Sequence, residues 1–271
     1  MREPPRMSLR SSTALVLSLM CLAAPAWADS HAGEEAYYRG DYATAFRELS
    51  PLAANGDALA EYVLGLMYVK GVGVPQDFKQ AEYWLFLAAE QGHAQAQDNL
   101  GAMYANGLGV PVDVKQAVRW YRLAAEQGDA TAQNNLGLLY AKGEGVPLDL
   151  KEAVRWYRLA AEQGEAKAQF NLGVLYAEGQ GVPQDFKAAM EWYYLAALQG
   201  DADAYHNLGV MYATDEGAVK DDVLAHVWFT LAAAQGEKEA IDLRDRLARK
   251  LTPAQMEVSQ KLVREWKPSD K

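Results

Sequence analysis

Residues 129–164 read DATAQNNLGLLYAKGEGVPLDLKEAVRWYRLAAEQG, and similar copies of this phrase recur along the chain every 36 residues. The copies occupy 57–92, 93–128, 129–164, 165–200 and 201–236. The same interval relates the tryptophans Trp84, Trp120, Trp156, Trp192 and Trp228, and the glycines Gly65, Gly101, Gly137, Gly173 and Gly209. A fixed period of this length is typical of a solenoid, in which each unit buries its apolar face against its neighbours.

Each copy is predicted to form two helices joined by a turn. In the first copy, Ala60, Leu64 and Tyr68 lie on one helical stripe. The turn 71–75 contains two glycines and a proline, which end the first helix, and Asp77 is suited to cap the second. None of the copies shows the alternating pattern of a strand. The predicted fold is therefore all-α, an αα-hairpin solenoid wound as a right-handed superhelix.

The repeated tryptophan and glycine are both predicted to serve packing. A glycine inside a helix costs about 1 kcal/mol relative to alanine, so its recurrence indicates the close approach of a neighbouring helix. The tryptophan is expected to fill the space between the two helices of its unit, burying on the order of 200 Å² of surface.

The repeat array is predicted to have a cap at each end. Residues 29–56 form a truncated unit, with a short helix over 34–39, a tight turn at Gly40 and Asp41, and a second helix over 42–54. Residues 237–271 keep the alanine of the first helix but lose its glycine and tyrosine, which predicts two C-terminal capping helices. The fifth copy departs from the consensus at Asp215 and at 218–219, so its turn is expected to be looser.

The first residues are predicted to direct export. Three arginines precede an apolar run over 13–24, and Ala26-Trp27-Ala28 provides small residues for signal peptidase, so 1–28 is expected to be a signal peptide. The alternative, an uncleaved anchor, would need about 20 apolar residues, and this run is shorter. The predicted location is periplasmic or secreted. The single cysteine, Cys21, would leave with the signal, so the mature protein would contain no thiol and no integral membrane segment.

The charge of the chain limits its partners. It carries 26 basic and 36 acidic side chains, for a net charge of −10. Three arginines and one glutamate lie in 1–28, so the mature chain would have 23 basic and 35 acidic side chains, for a net charge of −12. Nucleic acid and anionic lipid require a basic face for their phosphates, and this balance argues against both.

The consensus resembles a known family. Ala132-Gln133-Asn134-Asn135-Leu136-Gly137, followed by the turn 143–147 and by Ala160-Ala161-Glu162-Gln163-Gly164, is similar to the Sel1-like repeat, a relative of the tetratricopeptide repeat. The resemblance covers 57–236 and, less cleanly, 34–56. It implies an αα-hairpin solenoid and a role in assembling protein complexes, including those of bacterial envelopes and signalling.

Catalytic, cofactor and metal motifs are not apparent. His31, His93, His206 and His226 have no spacing that would bring two together on one helix, so no metal site is predicted. Some Sel1-like proteins have been associated with β-lactam hydrolysis, but Ser30, Ser50, Ser259 and Ser269 lack the lysine three residues later that a serine acylase requires.

The Gly-x-Gly turns follow helices and so do not form a phosphate loop. Glu126 and Glu162 stand four residues after Arg122 and Arg158, which predicts surface ion pairs. No cofactor is expected, and the protein is predicted not to be an enzyme.

Binding residues are expected where the copies differ. On the first helix, one position opposite the packing stripe reads Tyr62, Asp98, Asn134, Phe170 and His206. First helices line the concave surface of tetratricopeptide solenoids, so this position is predicted to line a partner-binding groove. The adjacent Asn99, Asn135, Asn171 and Asn207 either clamp the backbone of a bound peptide or bond to inter-repeat backbone as an internal ladder.

These observations favour a non-enzymatic adaptor of the bacterial cell envelope that binds a protein segment, with basic residues, in the groove. One alternative is an envelope enzyme or enzyme regulator that acts on peptidoglycan or another glycan. Another is a periplasmic inhibitor of a membrane sensor.

Overall fold

The computed structural model describes residues 26–214, 216–217 and 219–268, and within these ranges it contains α-helices and no strand. The helices are α1 (Ala26–Tyr38), α2 (Tyr42–Ala54), α3 (Ala58–Lys70), α4 (Phe78–Glu90), α5 (Ala94–Asn106), α6 (Val114–Glu126), α7 (Ala130–Lys142), α8 (Leu150–Glu162), α9 (Ala166–Glu178), α10 (Phe186–Leu198), α11 (Ala202–Thr214), α12 (Asp222–Ala234), α13 (Lys238–Ala248) and α14 (Pro253–Glu265). Each of α3, α5, α7, α9 and α11 packs against the helix that follows it, and each hairpin packs against the next. The predicted solenoid of helical repeats is confirmed.

Local capping explains where the helices begin and end. The carboxylate of Asp57 accepts a hydrogen bond from the Ala60 amide at 2.9 Å, and Asp77 accepts one from the Lys79 amide at 2.9 Å. The first helix of the unit ends at Gly71, whose φ of 68° is the left-handed conformation that glycine adopts without a Cβ clash. These contacts recur from unit to unit, so the helix bounds follow the repeat.

The mid-helix glycine does mark a close approach, as predicted. A Cβ placed on Gly137 would lie 2.8 Å from Cδ1 of Tyr157, and one on Gly101 would lie 2.7 Å from the equivalent atom of Tyr121. The ring that fills this notch belongs to the residue after the repeated tryptophan. The expectation that the tryptophan itself fills the space within a unit is therefore corrected.

The tryptophans instead join successive units. Trp120 shares a buried cluster with Ala81 and Leu85, from the second helix of the preceding unit, and with Leu100, from the first helix of its own unit. Trp156 occupies the equivalent place one unit later. The side chains of Trp120, Trp156 and Trp228 are buried, whereas those of Trp84 and Trp192 are partly buried. A unit therefore depends on its neighbour for core burial, as expected of a solenoid.

A ladder of buried glutamines also crosses the units, and sequence reasoning missed it. Gln133 is 4% exposed, its Nε2 donates to the Ala125 carbonyl at 3.1 Å, and its Oε1 accepts from Nε2 of Gln163 at 2.8 Å. Gln97 and Gln169 repeat this arrangement. The signal was available, because the Gln of Ala-Gln-x-x-Leu-Gly and that of Ala-Ala-x-Gln-Gly recur together in several units.

The ends of the ladder carry different residues. In the first unit, Glu61 takes the place of glutamine and accepts from Nε2 of Gln91 at 2.7 Å, and desolvation raises the pKa of its carboxyl group. In the fifth unit the position is Tyr205, whose hydroxyl accepts a hydrogen bond from Nε1 of Trp266 at 3.1 Å.

The two caps are built differently: the N-terminal cap is a helical hairpin, whereas in the C-terminal cap α13 and α14 each pack against α12. The N-terminal hairpin consists of α1 and α2; α1 is longer than the predicted helix over 34–39, whereas α2 has the predicted bounds. At the other end, α14 packs against α12, where the Trp266 ring meets Trp228 edge-on at 4.8 Å between centroids. Residues 1–25 of the predicted signal peptide lie outside the described residues, as do Asp215 and Ala218 of the fifth turn. None of the described helices is both long and apolar enough to cross a membrane.

Candidate partner-binding face

The side chains that vary on the first helices lie at the joints between units. The Tyr62 ring stacks on His93 of the next unit with centroids 4.4 Å apart. Phe170 meets the Tyr193 ring of its own unit at 5.7 Å and lines a cavity together with His206 of the next unit. Asn134 is only 5% exposed. The expectation that this position stands apart from the packing stripe is therefore wrong for Asn134 and needs correction for Tyr62 and Phe170, which are partly buried and packed against the core.

The neighbouring asparagines connect these joints. Asn135 Nδ2 lies 3.1 Å from an Asp98 carboxylate oxygen, and Asn171 Nδ2 lies 3.0 Å from Asn134 Oδ1. Each of these bonds links a first helix to the one in the preceding unit. The ladder is thus formed between side chains rather than with inter-repeat backbone.

The asparagines at the two ends of this series have other partners. Asn99 Nδ2 donates to the Gln95 carbonyl of its own helix at 2.7 Å. The side chain of Asn207 lies beside Tyr193, where it opposes the rise that burial causes in the pKa of the Tyr193 hydroxyl. Peptide binding by these asparagines remains a prediction. A bound peptide would have to use the amide groups that the internal hydrogen bonds leave unpaired.

Burial shifts the pKa values of two groups, one at the joint between the second and third units and one at the joint between the first and second. Desolvation raises the pKa of Asp98 to about 7, with the nearby Asp129 carboxylate adding to the rise and the hydrogen bond from Asn135 opposing it. Desolvation also lowers the pKa of His93, whose Nδ1 accepts from the Ala96 amide at 3.3 Å. Neither group is therefore a permanent charge near neutral pH.

Two cavities lie beside α11, the first helix of the fifth unit, and share Asn207. One, of about 200 Å³, is lined by Val174, Val210, Met211, Tyr193, Phe186 and Glu178, among others. The other, of about 210 Å³, is lined by Phe170, Asp203, His206, Asn207, Glu237 and Glu239. The first combines apolar side chains with two carboxylates, Glu178 and Glu216, whereas the second holds three carboxylates and a single apolar side chain, Phe170. His206 links the second cavity to the cap, because its Nδ1 lies 3.4 Å from a Glu237 carboxylate oxygen.

Within the described ranges, a histidine and a serine meet in a buried contact. His226 Nδ1 lies 2.7 Å from Ser259 Oγ, but Ser259 is fully buried and His226 is 6% exposed, so this pair fixes α14 to α12. His31 lies 3.2 Å from the carboxylate of Glu34 on the surface of α1. Over the ranges that the structure describes, no group of three His, Cys, Asp or Glu side chains could hold a metal ion.

The second helices present a different surface. Arg122 and Arg158 donate at 2.7 Å to the hydroxyls of Tyr140 and Tyr176, which belong to the next unit. Neither arginine forms the predicted ion pair with the glutamate four residues later, so that prediction is wrong. Arg119 stacks over the Trp120 ring at 5.0 Å, and Arg155 stacks over Trp156 at 4.8 Å.

The repeat units match a family model, the Sel1 repeat, over residues 58–93, 94–129, 130–165, 166–201 and 202–237. The chain belongs to the Sel1 repeat family. Each matched segment starts one residue later than the corresponding predicted unit, because the predicted units start at the capping residue.

Solved structures of Sel1-type repeats resemble this chain. A Sel1 repeat protein from Oxalobacter formigenes is 32% identical, with a TM-score of 0.77, over 90% of this chain and 99% of that one. The protective antigen c5321 of uropathogenic Escherichia coli, which displays an SLR fold, is 31% identical, with a TM-score of 0.60, over 89% of this chain and 61% of that one. A comparison with curated proteins yields no match.

Proposed function

We propose that this protein is a non-enzymatic scaffold of the bacterial cell envelope, which holds a segment of a protein partner along its first helices. Sel1 repeat proteins generally mediate protein–protein interaction, and the fold presents a row of first-helix side chains that differ between units. The observation that carries the proposal is the pair of adjoining cavities at Asn207, one with apolar side chains and two glutamates and the other acidic.

These cavities are suited to two neighbouring side chains of an extended segment. An aliphatic side chain would contact Val174 and Val210, while a basic side chain would lie among Asp203, Glu237 and Glu239. Asn207 lies between them, and its amide is suited to hydrogen-bonding a peptide backbone. Because this recognition is partly ionic, association should weaken as salt concentration rises.

Site-specific photo-cross-linking tests the proposal. A photoreactive phenylalanine analogue at Val210 should capture a protein partner in cells, because Val210 lines the cavity that contains the apolar side chains. The same analogue at Val112, which is 63% exposed on a turn, is the matched control and should capture none. Equal capture at the two positions, or capture at Val112 alone, would refute the assignment of the binding face.

The envelope location rests on the predicted signal at 1–28. We expect the mature chain to begin at Asp29, which terminal sequencing of the exported protein would detect. An intact Met1 in the cytosolic fraction would contradict the proposed location but would leave the proposed binding face standing.

A further inference from the structure

The second helix of the second unit carries a basic, partly apolar cavity that the proposed groove does not use. The cavity has a volume of about 390 Å³ and is lined by Lys115, Val118, Arg119, Arg122, Leu123 and Glu126. Val118 is 7% exposed and Leu123 is 38% exposed, so apolar surface lies beside three cations and one carboxylate. The local charge is thus opposite in sign to that of the whole chain.

The two arginines are held in place by neighbouring aromatic groups. Arg122 donates to the Tyr140 hydroxyl at 2.7 Å, and the Arg119 guanidinium stacks over the Trp120 ring at 5.0 Å. Arg119 has no ion pair within the described part of the chain. A stacked guanidinium keeps its in-plane N–H donors available for a carboxylate and loses little conformational freedom when it binds one.

The third unit shows which ligand this arrangement accepts. Residues 153–164 repeat 117–128 without a change, so Arg155 and Trp156 correspond to Arg119 and Trp120. There Glu152 places a carboxylate oxygen 3.1 Å from Nη1 of Arg155. In the second unit the residue equivalent to Glu152 is Gln116, and the guanidinium of Arg119 has no such carboxylate.

We infer that the α6 surface around Arg119 is a docking site for an acidic polypeptide segment, with a carboxylate on Arg119 and an adjacent aliphatic side chain on Val118 and Leu123. Charge complementarity and the internal Glu152–Arg155 pair support this occupant. A polypeptide is favoured over an anionic lipid surface because Glu126 lines the same cavity and the chain as a whole is acidic. The site shares no residue with the first-helix face, so it is independent of the proposed groove.

The test is fluorescence anisotropy of the purified protein with a labelled peptide of Glu-Leu-Glu-Ala repeats. Arg119→Gln should weaken binding about tenfold, because it removes a charge-assisted hydrogen bond. Gln116→Glu should weaken binding to a similar extent with Arg119 intact, because the new carboxylate would occupy the guanidinium as Glu152 does in the next unit. Glu152→Gln should raise the stoichiometry from one peptide towards two by freeing Arg155.

Controls separate this site from other binding. A peptide with lysine in place of glutamate should not bind, and both position-119 and position-116 variants should keep the wild-type melting temperature, since Arg119 is exposed and Gln116 is only partly buried. Unchanged peptide affinity in either variant would overturn the assignment. Binding of mixed phosphatidylglycerol and phosphatidylcholine vesicles without binding of the acidic peptide would also overturn it, in favour of a lipid contact.

Discussion

Replacement of Trp156 by alanine tests how the units hold one another. The ring is 6% exposed and lies in the cluster formed by α6 and α7. Burial of about 200 Å² at about 25 cal/mol per Å² corresponds to roughly 5 kcal/mol. Nε1 of Trp156 is buried and has no hydrogen-bond partner among the described residues, so its removal returns about 1 to 2 kcal/mol. The expected net loss in the free energy of unfolding is about 3 to 4 kcal/mol.

Urea unfolding followed by far-ultraviolet circular dichroism measures this loss. Trp156→Phe is the matched control, because it retains most of the apolar ring and removes the unpartnered N–H, so its loss should be about 1 kcal/mol. Trp192→Ala should cost less than Trp156→Ala, since Trp192 is only partly buried. Equal losses at the two tryptophans, or no loss at Trp156, would refute the conclusion that Trp156 joins the units.

Three further predictions concern buried positions. Desolvation places the pKa of Asp98 near 7 in the folded chain, above its unfolded value, so stability should fall as pH rises from about 4 to 7. Asp98→Asn should remove this fall and raise stability at pH 8 by on the order of 2 kcal/mol. Thermal melts at pH 5 and pH 8 measure this, and a variant whose melting temperature fell between the two pH values as much as that of the wild type would contradict it. Gly137→Ala should cost about 1 to 3 kcal/mol, because its Cβ would lie 2.8 Å from the Tyr157 ring; an unchanged urea midpoint would show that the helices separate freely. Gln133→Ala should cost about 1 to 3 kcal/mol by leaving the Ala125 carbonyl without its side-chain donor, and amide hydrogen exchange that stays as slow as in the wild type around this joint would argue against the ladder.

The candidate site was only partly predictable. The sequence identified the varying residues on the first helices, but it placed Asn134 on an open face, where the structure buries it against Asn171. Of the two roles left open for the asparagines, the ladder was expected to use inter-repeat backbone, whereas Asn135 and Asn171 bond to side chains of the preceding unit. These differences arise because each side chain meets the next unit, and the distance to that unit is not encoded within a single copy.

The sequence by itself determined the number of units, the capping and turn positions that separate their helices, and the family, because capping carboxylates, glycine turns and the helical period act within a few residues. Only the tertiary structure decided that Tyr157 rather than Trp156 fills the notch at Gly137, and that Arg122 bonds to Tyr140 rather than to Glu126. Both outcomes depend on how two helices from different parts of the chain approach each other. That approach is the joint result of packing by many side chains, so no local pattern in the sequence specifies it.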